Sequence, residues 1–425
     1  MEKTGWTGQM PMKRRKKIFP YGLPLSGLLI LYLVTVPMPG CKGSPPEEKA
    51  ADTSNFSSTE YVRSLFQDDP ESWKEFERLQ AEFRGGKHSL AMGELRQLME
   101  RSPQAPWVEA VDFYLAQAWM LLRKQGPALR QIDLFLDRYP TSPLVPRVLI
   151  SKGKISLASA KQLAATDAES QATAEYLRKA EDIFWQVQQK APNDLVLQAE
   201  AGYYLGEVYA ALREPIRARE AFRKVADTYP DTPYASQALY SLGGVLMGEA
   251  DLEGAASAFS IIEERYPKTQ LADKAKKRLE GIQLAGSQAP PLHIKQWIGE
   301  PPKEGEEFKG KVTVLSFWAI WCPHCRRSIP NMERLVETYA NRGVSVVGIT
   351  KEREGYEIEK VKEYIDSHPM RYPTGVDDEG KTSEEMAVRS IPCVVVVDPQ
   401  GRIGWHGHPD HLTDRVIEAL MQPSS

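Results

Sequence analysis

A proline recurs along the middle of this 425-residue chain, at Pro103, Pro140, Pro192, Pro230 and Pro267, with spacings of 37, 52, 38 and 37. Eight residues before each proline stands a large apolar side chain: Leu95, Ile132, Phe184, Phe222 and Phe259. Twelve to fourteen residues after three of them come Leu115-Ala116, Leu205-Gly206 and Leu242-Gly243. A fixed period of this length implies units that bury their apolar face only against their neighbours, so the chain must stack rather than wrap one core. Proline lacks an N–H and disfavours helix in the residue before it, so it ends the second helix of each helix–turn–helix unit. Small residues beside the aromatics, as in Ala221-Phe222 and Ala258-Phe259, let successive helices approach closely. The long gap holds about fifteen extra residues, which we place in the polar, Ala-rich stretch Ala164–Ala174.

Between units run Arg138-Tyr139-Pro140-Thr141, Thr228-Tyr229-Pro230-Asp231-Thr232 and Arg265-Tyr266-Pro267-Lys268-Thr269. This pattern resembles tetratricopeptide repeats, and the resemblance implies about five of them over residues 71–283. Solenoids of this kind present a concave face to a peptide or protein. A spacer that binds nothing is the plainer alternative.

The N-terminus reads as an address. Lys13, Arg14, Arg15, Lys16 and Lys17 precede an uncharged stretch from Ile18 to Cys41 that is most apolar over Gly27–Val36. A basic run before a short apolar run makes a secretory signal at residues 1–40; it is too short, and too broken by Pro20, Pro24 and Pro37, to suit a spanning helix. Met38-Pro39-Gly40-Cys41 resembles a bacterial lipobox, which implies lipidation of Cys41 and a membrane held by a lipid anchor. An uncleaved anchor or plain secretion are the other readings, and each exports the body of the chain. Residues 41–70 open with a Gly-, Pro- and Ser-containing polar run and read as a flexible tether. The expected location is the bacterial envelope, outside the cytoplasm.

Past residue 40 the chain carries 48 basic against 56 acidic residues, which argues against nucleic-acid binding. Its four cysteines (Cys41, Cys322, Cys325, Cys393) are too few for a disulfide scaffold.

After Gly286 the texture changes. Ala289-Pro290-Pro291 and Glu300-Pro301-Pro302 mark a linker and an irregular lead-in. Lys311–Trp318 then reads as a buried strand ending in Trp321-Cys322-Pro323-His324-Cys325, with a helix from about Cys325 to Asn341. Val344–Thr350 and Cys393–Asp398 read as strands, Arg402–Trp405 as a further one, and Ile358–Ser367 and Leu412–Met421 as helices. Strands alternating with helices imply an α/β sheet. A first Cys at a helix N-terminus is favoured as thiolate, and a second one turn on can close a disulfide with it. The pair can then exchange with a partner through a mixed disulfide.

These residues resemble the thioredoxin family, and within it the membrane-anchored TlpA-like members. The likeness runs through Phe308, Gly310 and Lys311, through Phe317-Trp318-Ala319 and the Cys-Pro-His-Cys segment, through Pro330, Asp377 and Gly380, and through Ile391-Pro392 and Gly401-Arg402-Ile403. The resemblance implies that Cys322 attacks and Cys325 resolves, with Trp321, Pro323, His324 and a cis-proline at Pro392 in support. It implies a redox-active disulfide in place of a cofactor, and protein thiols or disulfides plus a redox partner as what it meets. The architecture expected is multidomain: an all-α tetratricopeptide-like solenoid, then an α/β thioredoxin fold over residues 284–425.

Three residues depart from the family pattern. Ser316 stands where thioredoxins keep a buried acid, Ser328 where some TlpA-like reductants carry Glu, and Cys393 where Thr usually follows the cis-proline. Cys-Pro-His-Cys resembles the motif of periplasmic thiol oxidants, so the sequence leaves the direction of exchange open. Cys393 is a candidate third redox thiol, or else a small buried strand residue. Zinc at Cys322 and Cys325 would need two more ligands, and no second Cys-x-x-Cys or His pair has the usual spacing. His406, His408, Asp410 and His411 read better as a strand end turning into a helix than as a metal site. A peroxiredoxin needs Pro-x-x-x-Thr-x-x-Cys, which the residues before Cys322 lack. The remaining alternative is a non-catalytic adaptor that works through its repeats.

Overall fold

The computed structural model describes residues 56–164, 170–303, 307–368 and 370–422. The signal segment, Cys41 and residues 41–55 of the expected tether lie outside them. Residues 56–70 of that tether belong to the folded body instead: α1 covers Phe56–Ser64, and Phe66 is buried, stacked on Trp107 with ring centroids 5.5 Å apart.

Eleven further helices of the described chain build the solenoid. They are α2 (Pro70–Arg84), α3 (His88–Arg101), α4 (Val108–Leu121), α5 (Gln125–Arg138), α6 (Val145–Ala164), α7 (Gln171–Lys190), α8 (Leu195–Ala211), α9 (Pro215–Thr228), α10 (Pro233–Gly248), α11 (Leu252–Arg265) and α12 (Gln270–Gln283). Each recurring proline stands two residues beyond the end of α3, α5, α7, α9 or α11. Side-chain oxygens of Asp194, Asp251 and Thr269 accept the N–H groups of Leu197, Gly254 and Ala272, so the starts of α8, α11 and α12 are capped. Proline opens α2, α9 and α10, where its missing N–H costs nothing.

The long gap spans α6 and α7. It lengthens both helices of one unit: α6 and α7 have 20 residues each, against 14 in α4, α5, α9 and α11. Ala-rich sequence extends a helix as readily as it fills a loop, and composition could not separate the two. Residues 165–169 are outside the described part.

The repeating contact is a phenylalanine on a glycine. Phe184, Phe222 and Phe259 are buried and press on the bare backbone of Gly153, Gly206 and Gly243; a Cβ at Gly206 would sit 2.5 Å from the Phe222 ring. Phe222→Ala would empty that gap between α8 and α9. It is expected to destabilise the repeats by about 3–5 kcal/mol, read as a lowered midpoint in the helical circular dichroism melt. A loss under about 1 kcal/mol would mean that the stack closes the gap by repacking.

The C-terminal region is a six-stranded sheet of order β1-β4-β3-β2-β5-β6. The strands are β1 (Ile294–Ile298), β2 (Val312–Phe317), β3 (Val344–Thr350), β4 (Thr374–Asp377), β5 (Cys393–Val397) and β6 (Ile403–Gly407). β2 runs parallel to β3 and antiparallel to β5; β4 is parallel to β3, and β1 and β6 close the edges antiparallel. β2 and β5 are buried at every residue, which is why β5 reads as an unbroken apolar run and β2 as a largely apolar one broken by Thr313 and Ser316. Helices α13 (Pro323–Tyr339), α14 (Ile358–Ser367), α15 (Lys381–Glu385) and α16 (Asp414–Met421) accompany the sheet, with a short 3-10 turn at Pro409–His411. β1 falls in the stretch read as an irregular lead-in. It is a partly exposed edge strand carrying Lys295 and Gln296, so no apolar alternation announces it.

The solenoid packs directly on this sheet. The Trp405 indole N–H in β6 donates to the Met247 carbonyl of α10 at 3.0 Å. No helix among the described residues is long and apolar enough to cross a membrane.

Candidate functional site

β2 ends at Phe317, and the chain then turns through Trp318–Trp321 into α13. The Trp318 N–H donates to Ile349 O at 2.9 Å and the Cys322 N–H to Ala319 O at 3.1 Å, which fixes this turn against β3. Pro323 is the first residue of α13, so Cys322 stands immediately before the helix and Cys325 within its first turn. The two form a disulfide with Cα atoms 5.2 Å apart.

Their surroundings differ sharply. Cys325 is completely buried, while Cys322 is half-buried and reaches the surface. The Cys325 N–H donates to Cys322 Sγ at 3.1 Å. When the pair is reduced, that N–H and the positive end of α13 both favour a thiolate on Cys322. Beneath the pair lies an apolar floor of Trp318, Cys325 and Val361, joined by Ile320, Ile329, Tyr364 and Ile391. The Ile391–Pro392 bond is cis, and Ile391 belongs to this same floor. Trp321 is half-buried on the rim, 5.4 Å from the Tyr356 ring and covered by Arg353 at 5.6 Å.

His324 is exposed, and Arg327 Nη2 donates to its Nδ1 at 2.6 Å. A guanidinium only donates, so Nδ1 is the acceptor in this contact. Ser316 is buried in β2, and the Ser328 hydroxyl is spent on Cys325 O at 2.7 Å. Neither brings a carboxylate to the resolving sulfur. Asp377 serves the fold: its carboxylate accepts Thr382 N–H at 2.9 Å and Ser383 N–H at 3.0 Å and so anchors α15.

Cys393 sits in another part of the core, with Leu315, Phe317, Val347 and Val395. Burial pushes its thiol up to about 12, and the thiolate needed for exchange is disfavoured there. That position argues for the small buried strand residue and against a third redox thiol.

His406, within β6, and His411, after it, both lie against glycines of the repeats. His406 Nε2 lies 3.1 Å from Met386 O and His411 lies against Gly244 of α10. Among the described residues, no three His, Cys, Asp or Glu side chains come together as metal ligands. Sequence reasoning passed over this histidine–glycine interface. Glycines inside two helices, Gly244 and Gly281, were the signal that could have found it, because glycine is a poor helix former.

Several known proteins are similar to parts of this chain. Residues 285–406 match the family model described as AhpC/TSA, and residues 200–232 match a tetratricopeptide repeat. Thioredoxin-like protein YneN of Bacillus subtilis is 32% identical over 123 residues, which is 29% of this chain and 70% of that protein. Thiol-disulfide oxidoreductase ResA of Halalkalibacterium halodurans is 25% identical over 138 residues, or 32% of this chain and 76% of that one. The crystal structure of a thiol-disulfide isomerase from Corynebacterium glutamicum superposes with a TM-score of 0.30 at 21% identity, covering 33% of this chain and 99% of that one.

Proposed function

The chain belongs to the thioredoxin-like thiol-disulfide oxidoreductases, and from that premise we propose that it exchanges disulfides with protein partners of the bacterial envelope through Cys322 and Cys325. The observation that carries this reading is the unequal burial of the two sulfurs at the start of α13. The accessible sulfur meets the client and the buried one waits.

In the reducing direction the Cys322 thiolate attacks a client disulfide. An S–S bond forms between Cys322 and the client, and the client's other sulfur leaves as a thiolate that takes up a proton. Cys325 then loses its proton and attacks Cys322 Sγ. The mixed disulfide breaks, the Cys322–Cys325 disulfide forms, and the client's second sulfur leaves. Two electrons and two protons pass to the client. The oxidising direction is the reverse sequence. The chemistry draws on no bound cofactor, because the disulfide itself carries the two electrons.

Export is supported by the basic run Lys13–Lys17 and the apolar stretch that follows it, and membrane tethering by Cys41 in its lipobox-like setting. The repeats supply the surface that holds a protein partner near the disulfide.

The test is redox equilibrium of the chain from residue 56 to 425 in glutathione buffers. A potential near about −120 mV marks an oxidant and one near about −270 mV a reductant. A Cys322–Cys325 pair that does not exchange at all would sink the enzyme reading and leave the adaptor.

A further inference from the structure

The repeats do more than carry the redox domain. Trp405 is 1% exposed, and a buried indole N–H needs an acceptor; it finds Met247 O, in the solenoid. Thr413 Oγ1 donates to Gly248 O at 2.5 Å. A Cβ at Gly244 would lie 2.5 Å from His411 Cε1, and one at Gly281 would collide with the His406 ring. Both glycines stand inside helices, where glycine is disfavoured unless close approach requires it. The solenoid thus carries side-chain choices that only make sense with this sheet against it.

From α12 these contacts lead on to the disulfide. Gly281 seats His406, whose Nε2 donates to Met386 O at 3.1 Å. One residue earlier on the same helix, Glu280 Oε2 accepts from Arg389 Nε at 3.4 Å. Met386 to Arg389 run straight into Ser390, Ile391 and the cis-linked Pro392, and Ile391 packs on the floor that holds Cys322 and Cys325. Arg389, Ser390 and Ile391 also line a hollow shared with Trp318 and Lys351, beside the same floor.

We propose that α12 is a wall of the redox site: Gly281 and Glu280 position the segment Met386–Pro392, and with it the edge on which a client polypeptide is held beside Cys322. This rests on the thiol-exchange reading. It makes Gly281 and Glu280 positioning residues that act through His406 and Arg389 and touch neither sulfur. A disturbed α12 therefore costs client engagement before it costs thiol chemistry.

The test uses the chain from residue 56 to 425 with two probes, the interchain disulfides of insulin and dithiothreitol. Gly281→Val pushes His406 off Met386 O. The expected result is a roughly tenfold fall in the rate with insulin, with the dithiothreitol rate and the Cys322/Cys325 potential unchanged. Adding His406→Ala, which frees the space, should recover most of the insulin rate. Glu280→Arg and Arg389→Glu are surface changes that spare the fold; each alone should slow insulin reduction about two- to threefold, and the double variant should restore it. An unchanged insulin rate in Gly281→Val and Glu280→Arg would overturn the proposal. So would equal losses with both probes, which would mark a general structural effect. Wild-type protein that exchanges with dithiothreitol but whose variants behave alike fails the α12 proposal alone; wild type inert to both probes fails the exchange reading beneath it.

Discussion

Cys322→Ser is expected to abolish exchange, while Cys325→Ser is expected to keep the first attack and trap the client. The difference follows from where the two sulfurs lie. Cys322 reaches the surface just before α13, and its sulfur receives the Cys325 N–H at 3.1 Å. Serine there has no thiolate to stabilise and no disulfide chemistry, so turnover should fall by orders of magnitude. Cys325 is fully buried on the floor of Trp318 and Val361 and cannot meet a protein client directly. Without it, Cys322 still attacks, but no second sulfur stands one turn away to break the mixed disulfide. Non-reducing gels and mass spectrometry of each variant after incubation with insulin should show covalent adducts for Cys325→Ser only. Adducts on Cys322→Ser with none on Cys325→Ser would reverse the two roles.

What the sequence made legible is what local chemistry alone decides. Proline disfavours helix in the residue before it, so the recurring Pro103, Pro140, Pro192, Pro230 and Pro267 marked the ends of α3, α5, α7, α9 and α11 before any packing was known. The fully buried β2 and β5 announced themselves by composition, and Cys322 and Cys325 by spacing. Elements whose character comes from a distant partner stayed hidden. β1 is a strand because β4 pairs with it, and its own Ile-Lys-Gln-Trp-Ile says little. α1 is held by a distant partner, its Tyr61 hydroxyl donating to the Glu109 carboxylate, and Phe66 just beyond it stacks on Trp107, 41 residues on. Gly244 and Gly281 look like weak points in α10 and α12 until His411 and His406 arrive from more than a hundred residues away.

That interface also sets how the protein answers to acid. Burial, with the charge of Arg278 beside it, holds His406 and His411 down to about 4. His406 gives its Nε2 proton to Met386 O, and its buried Nδ1 faces Gly281 with no acceptor in reach. A second proton would have nothing to bond to. Cys393 Sγ, 3.8 Å from Nε2 and itself held protonated, offers no compensating charge. Around His411 stand Arg278 and His408, which oppose protonation, and Asp410 and Glu207, which favour it but do not prevail.

Above the ordinary histidine value of about 6.5, folded and unfolded chains are both neutral at these rings, and they add no pH dependence. Below it the unfolded chain takes up protons that the folded one refuses, and stability drains away until the folded value near 4 is reached. At about 1.4 kcal/mol per pH unit, His406 alone costs on the order of 2 kcal/mol by pH 5. His411, a half-buried residue, adds less. The loss falls first on the contact between α10, α12 and β6, because both rings lie there. Urea unfolding followed by tryptophan fluorescence, which sees Trp405, should show the midpoint dropping steadily between pH 6.5 and 5. His411→Asn, which cannot take a proton, should flatten part of that slope. A midpoint that stays level over this window, above the range where ordinary carboxylates titrate, would mean that the two rings are not held neutral by the docked repeats.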